Sequence, residues 1–232
     1  MNRQIDQGEN SGNWVTAHPV ITFYVIAFGV SWAGFYPMLA ASSGISFFQS
    51  PLWSASLILP GCGPAIAAAA TVRLTGERGN PLLRLRASLR WRVHPGWYLA
   101  ALLAPLTLLL AAQLVSRILL PGEAPALAPQ RPDAVLTLTW MSLLANPWEE
   151  VGWRGFAFHR LQMRISPLLA AVVVGVFWGW WHIPLFLWTG SPMSTFSFWP
   201  WFISLVAESC LVGWLYNSAD HSLVIAMLFH VA

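Results

Sequence analysis

The chain has 232 residues, of which 56% are hydrophobic and only 9% charged, with 15 tryptophans and a mean hydropathy of +0.58. Soluble domains carry about a quarter charged residues, so this composition excludes that class and indicates a multi-spanning membrane protein built as one helical bundle. The formal charge of +3 comes from arginine alone, since no lysine occurs, and arginines set between apolar runs suit a membrane surface better than a nucleic acid. Cys62 and Cys210 both lie in apolar runs and read as small core residues rather than a disulfide.

Residues 1–17 are polar and poor in aliphatics, which predicts a disordered tail without the pattern of a signal peptide; residues 18–232 then form a single membrane-embedded domain. The first apolar run, about 20–41, is long enough to cross a hydrocarbon core of ~30 Å, with Pro37 as a kink point. The second, about 52–74, contains Pro60-Gly61-Cys62-Gly63-Pro64 followed by four alanines. That pattern predicts a broken or kinked helix packed inside protein, with small residues for close helix contact. Arg73, Arg78, Arg84, Arg86, Arg90 and Arg92 follow, interleaved with Trp91 and Trp97, and predict an interfacial helix touching anionic headgroups.

The third run is about 97–120, and a Pro- and Ala-rich loop covers 121–132. The fourth, about 134–145, leads into Asn146-Pro147-Trp148-Glu149-Glu150-Val151-Gly152-Trp153-Arg154-Gly155 and continues as helix to about Arg164. The fifth spans about 168–188 and the sixth about 196–216. After a polar turn, the last run, 222–232, is only about 16 Å long as a helix, which suggests a C-terminally incomplete sequence. The expected fold is all-α, a polytopic transmembrane bundle of about six to seven spans plus an interfacial helix. Arg3, the six arginines after the second run, and Arg154, Arg160 and Arg164 fall on one side, against Arg117 and Arg131 on the other. This bias predicts a cytoplasmic N-terminus in a plasma (inner) membrane protein.

Two adjacent carboxylates and an arginine at membrane depth are costly unless they have partners. At about 100° per residue, Glu150 and Arg154 lie about 40° apart on one face, which predicts an ion pair, whereas Glu149 points about 100° away from Glu150 and faces a cavity. His182 in the fifth run, Glu208 in the sixth and His230 in the last are the other intramembrane polar positions considered. Trp178 is four residues before His182, so the aromatic ring shares its face and orients or dries the imidazole. A water between Glu149 and His182 can be deprotonated and delivered to a peptide carbonyl, with His230 donating to the oxyanion. Glu149, His182 and His230 are also three zinc ligands with an open fourth position, and the residues alone leave both chemistries open. Against the metal stand the lack of a His-Glu-x-x-His pair and of a cysteine cluster near these positions; no Gly-x-Ser-x-Gly elbow supports serine catalysis.

The series Glu149-Glu150-x-x-x-Arg154, Trp178-x-x-x-His182 and His230 resembles the motifs of the CAAX prenyl protease and bacteriocin-processing (CPBP, or Abi) family of intramembrane endopeptidases, over roughly residues 146–232. That family's pattern is Glu-Glu-x-x-x-Arg, Phe-x-x-x-His and His-x-x-x-Asn/Asp. The resemblance implies Glu149 and His182 as water activators, His230 as an oxyanion donor, Glu150 and Arg154 as supporting residues, and no obligatory cofactor, with a zinc-dependent variant as the alternative. The implied partners are membrane lipids and a peptide, or the C-terminal tail of a protein substrate, lipidated in some family members; no nucleic acid is implied. Trp178 departs from the usual Phe, and the position expected to hold Asn or Asp, 234, lies past the last residue. Glu208 has no place in the motifs and reads as a cavity residue or a partner of Arg154. A catalytically inactive scaffold or bacteriocin self-immunity protein is the competing function; a transporter rests on span number alone.

Overall fold

A computed structural model describes residues 14–77, 85, 88–119 and 132–232. Most of the expected tail, the 121–131 loop and most of the expected interfacial helix, with Arg78, Arg84 and Arg86, lie outside the described residues. Arg90 and Arg92 belong to non-helical chain, and the Arg92 guanidinium sits 4.8 Å from the Trp91 ring centroid.

The described elements are all helical, with no strand among them: α1 (Trp14–Ala17), α2 (Pro19–Ser42), α3 (Ile58–Leu74), α4 (Pro95–Leu119), α5 (Pro132–Gly152), α6 (His159–Leu161), α7 (Pro167–Trp181), α8 (Ile183–Leu187), α9 (Phe198–Ser218) and α10 (Leu223–Val231). Five stretches are long and apolar enough to cross a bilayer: Pro19–Ser42, Pro51–Leu74, Pro95–Leu119, Pro167–Leu187 and Phe198–Ser218. Helix α5 has 21 residues but ends in the two glutamates, which lower its hydropathy, and it packs between α3 and α10. Helix α10 packs against α4, α5 and α9. Eleven leucines, valines and isoleucines of α4 are exposed, as expected of a helix turned to lipid, where apolar surface has no need of a protein partner.

The second run begins as a tight 3₁₀ segment, Pro51–Leu57, and continues into α3, which holds the Pro/Gly cluster with Pro64 inside the helix. Its small residues are seams, as the sequence indicated. A Cβ on Gly61 would stand 2.7 Å from the Cβ of Ala145, and one on Gly152 would collide with Pro64. These close approaches draw the end of α5, with its glutamates, against α3. Gly152→Ala is therefore expected to force α3 and α5 apart. Overpacking of this kind costs about 1–3 kcal/mol, to be read as a lower unfolding midpoint in detergent, together with reduced activity through displaced glutamates.

Helix α5 does not continue as regular α-helix to Arg164. Residues Trp153–Phe158 form a wider π-helical turn, followed by the short α6. Such turns are rare inside helices and frequently occur at functional sites. Here the turn presents Trp153, Arg154, Phe156 and Phe158 to the core, where Phe23, Tyr24 and Trp181 pack against it.

Candidate active site

The paired carboxylates occupy the last turn of α5, and the two point to different partners. Arg154 Nη1 donates to Glu150 Oε1 at 2.9 Å, with Glu150 0% and Arg154 1% exposed. The pairing deduced from the four-residue spacing is thus present, but Glu150 does more. The same Oε1 also accepts from His230 Nδ1 at 2.8 Å, so one carboxylate oxygen orients an arginine from its own chain segment and an imidazole from α10. The backbone carbonyl of His230 in turn accepts from Asn146 Nδ2 at 3.1 Å.

Glu149 faces the other way, as its angular offset demanded. Its Oε2 accepts from two indoles, Trp178 Nε1 at 3.1 Å and Trp153 Nε1 at 3.3 Å. No hydrogen bond engages Oε1 among the described residues, which leaves that oxygen for the cavity. His182 caps the end of α7 and binds the Trp178 carbonyl through Nδ1 at 2.8 Å. A carbonyl can only accept, so Nδ1 carries the proton and Nε2 keeps its lone pair for the cavity. Counting Glu149 and Glu150 as anions and Arg154 and a doubly protonated His230 as cations, the cluster is neutral, the condition under which buried charge is tolerable.

Glu149, His182 and His230 line one cavity of about 320 Å³. Its walls come from α2 (Phe35), the start of α3 (Pro60, Gly61), α5 (Ser142, Ala145, Asn146), and Trp188 and Met193 beyond α8. Glu208 is half-buried on α9, within electrostatic reach of His230 and Arg154, but it is not among the residues lining this cavity, and Arg154 pairs with Glu150 instead. Among the described residues no three His, Cys, Asp or Glu side chains are grouped so as to hold a metal ion, Glu149, His182 and His230 included. That donor geometry does not fit the zinc alternative.

Trp178 is the hub of the site. Besides the bond to Glu149, its ring lies 4.7 Å from the Arg154 guanidinium carbon and 5.0 Å from the His230 ring. The sequence assigns Trp178 an orienting or drying role; its indole N–H adds a donor that phenylalanine lacks. Trp178→Phe keeps the ring but leaves Glu149 Oε2 with one donor. Hydrogen bonds to charged groups contribute roughly 1.5–3 kcal/mol, so a loss of that order is expected in thermal unfolding, with the helical circular-dichroism signal retained. Trp153 and Asn146 were given no role from sequence. Trp153 was legible in principle, lying four residues after Glu149; Asn146 was signalled only as an amide inside an apolar helix.

Helical spans enclosing a carboxylate and two imidazoles at membrane depth define a membrane-embedded protein with a hydrolase-like donor set. The comparisons agree over the segment that carries the site. Residues 131–232 match the family model described as Type II CAAX prenyl endopeptidase Rce1-like, in agreement with the resemblance read from the motifs over that segment. CAAX prenyl protease 2 of Methanococcus maripaludis is 34% identical over 97 residues, which cover 39% of this chain and 36% of that relative.

Proposed function

We propose that the protein is an intramembrane endopeptidase that hydrolyses a peptide bond near the membrane surface with a water activated by Glu149 and His182. The observation that carries this reading is the convergence of Glu149, His182 and His230, from three separate elements, on one cavity. A water held between Glu149 Oε1 and His182 Nε2 loses a proton to the carboxylate and attacks the carbonyl carbon. His230, held through Nδ1 by Glu150, turns Nε2–H toward the oxyanion that forms. The proton taken by Glu149 then passes to the leaving amine, which restores the carboxylate and completes the hydrolysis. Trp178 and Trp153 fix Glu149 by holding Oε2, and the apolar walls exclude competing solvent.

The substrate class implied by the family is a peptide or the C-terminal tail of a protein, with membrane lipids surrounding the enzyme. The relative is named a CAAX prenyl protease, and the proposal for this chain is the broader peptide hydrolysis. The test is a peptide-library cleavage assay by mass spectrometry on the protein reconstituted in liposomes, with and without chelator, alongside metal analysis. Turnover that survives chelation is expected. Turnover lost on chelation and restored by zinc would replace the carboxylate reading with the metal one, and no cleavage of any library member by a folded protein would favour the inactive scaffold.

A further inference from the structure

A second polar hollow, of about 440 Å³, lies where the π-helical turn runs into α6. Arg90, His159, Arg160, Tyr216 and His221 line it: two guanidinium groups, two imidazoles and a phenol, all able to donate to an oxyanion. Among the described residues no carboxylate lines it, and it shares no residue with the cavity of Glu149, His182 and His230. The walls are held in place. Ser222 Oγ, at the N-terminus of α10, donates to the Arg90 carbonyl and ties that stretch to the bundle. Asp220 and His221 both have left-handed backbone, with φ of 54° and 60°. That strained turn sets the His221 ring 5.3 Å from Tyr216 and 6.3 Å from His159.

Much of this donor capacity is unused. Arg160 pairs with Glu77 and lies over the Phe156 ring, but neither the Arg90 guanidinium nor the Tyr216 hydroxyl has a hydrogen bond or ion pair among the described residues. Tyr216 is only 2% exposed, so its free hydroxyl is not a surface group that water satisfies at no cost. Asp220 is exposed and does not line the hollow, and the sequence from 78 to 96 holds no Asp or Glu to offset the arginines. Beside the hollow runs an apolar groove of about 150 Å³ between α3 and α5, walled by Ala65, Ala68, Val72, Trp148, Val151 and Phe156. Ser88, Gly155 and Arg160 line both spaces, and Gly155 has no side chain to stand between them.

We propose that hollow and groove together bind an anionic phospholipid of the surrounding bilayer, its phosphate among Arg90, His159, Tyr216 and His221 and the first part of one acyl chain between α3 and α5. The hollow lies near the ends of two membrane-spanning helices, Leu74 of α3 and Ser218 of α9, the depth at which headgroups are found. A free phosphate would meet the basic groups but leave the groove empty; a lipid fills both. The bound molecule would tie α3, α6 and the turn between α9 and α10 together, and so would stabilise the folded chain. The site is separate from the reaction cavity and does not depend on the endopeptidase reading.

The full chain, stripped of lipid in detergent, is titrated with dioleoyl phosphatidylglycerol, dioleoyl phosphatidylcholine and inorganic phosphate; native mass spectrometry reads retained molecules and a thermal scan reads the unfolding midpoint. Retention of one phosphatidylglycerol with a raised midpoint, at concentrations where the other two do neither, is the expected result. Arg90→Gln/His221→Asn is expected to weaken that binding about fivefold for each basic group removed. Both side chains are exposed and asparagine tolerates left-handed backbone, so the lipid-free midpoint stays that of the wild type. Should the double variant not fold, Arg90→Gln alone is read in the same way. Ala69→Leu, which narrows the groove, is expected to weaken phosphatidylglycerol retention with every basic group intact. Equal retention of the two lipids, unchanged retention in the Arg90 or Ala69 variants, or equal protection by inorganic phosphate would overturn the proposal.

Discussion

Glu149→Gln is expected to lower kcat by about 10²–10⁴-fold, the range supplied by a positioned general base, with little change in KM or in folded yield. Glutamine has the same shape, and its amide oxygen can still accept from the indoles of Trp178 and Trp153, which hold Oε2 in the wild type. What it cannot do is take a proton from water. The substitution therefore separates base chemistry from packing, and it is measured as single-turnover cleavage of whichever library peptide the wild type cuts. Turnover within a fewfold of wild type would remove Glu149 from the proposed mechanism. A fall in both kcat and thermal stability would instead identify it as a structural acceptor for the two indoles.

Arg154→Met is expected to destabilise the fold by about 3–5 kcal/mol, because removing one partner of a buried ion pair leaves the other charge uncompensated. Glu150 would keep only His230, and the cation over the Trp178 ring would be lost as well. The informative companion is the double change Glu150→Met/Arg154→Met. Replacing both partners of a buried pair with apolar side chains of similar volume is often neutral, so much of the lost stability should return. Activity should not return, since His230 Nδ1 then has no carboxylate to hold its ring toward the cavity. Unfolding in detergent and cleavage rates on the same preparations decide the matter; a double variant as active as wild type would show that Glu150 does not position His230.

Much of the site was legible because helix geometry is local. The four-residue spacing of Glu150 and Arg154 dictated their pairing, and the offset of Glu149 dictated a different direction; both are found. The spacing of Trp178 and His182 likewise implied a shared face, but not the contact observed. His182 binds the Trp178 carbonyl, while the Trp178 indole reaches Glu149, 29 residues earlier in the chain. Glu208 illustrates the opposite limit. A carboxyl in an apolar helix is conspicuous in sequence, yet its place on α9 leaves it outside the residues that line the cavity.

The fold shows the same division. Apolar length identified the membrane helices, and the Pro/Gly cluster marked a close-packed seam, because both depend on composition within one turn or one span. The π-helical turn at Trp153–Phe158 carried no comparable mark, since regular and widened helix turns differ little in local preference and the surrounding core selects between them.

By itself, then, the sequence determined the membrane class, the helical scaffold and the identity of the ionisable residues inside it, because hydropathy and 3.6-residue periodicity are properties of neighbouring residues. Only the tertiary structure decided that Glu150 serves His230 as well as Arg154, that two indoles hold Glu149, and that Glu149, His182 and His230 share one cavity. Those facts depend on contacts between side chains as much as 80 residues apart, and no local preference encodes the distance across a bundle.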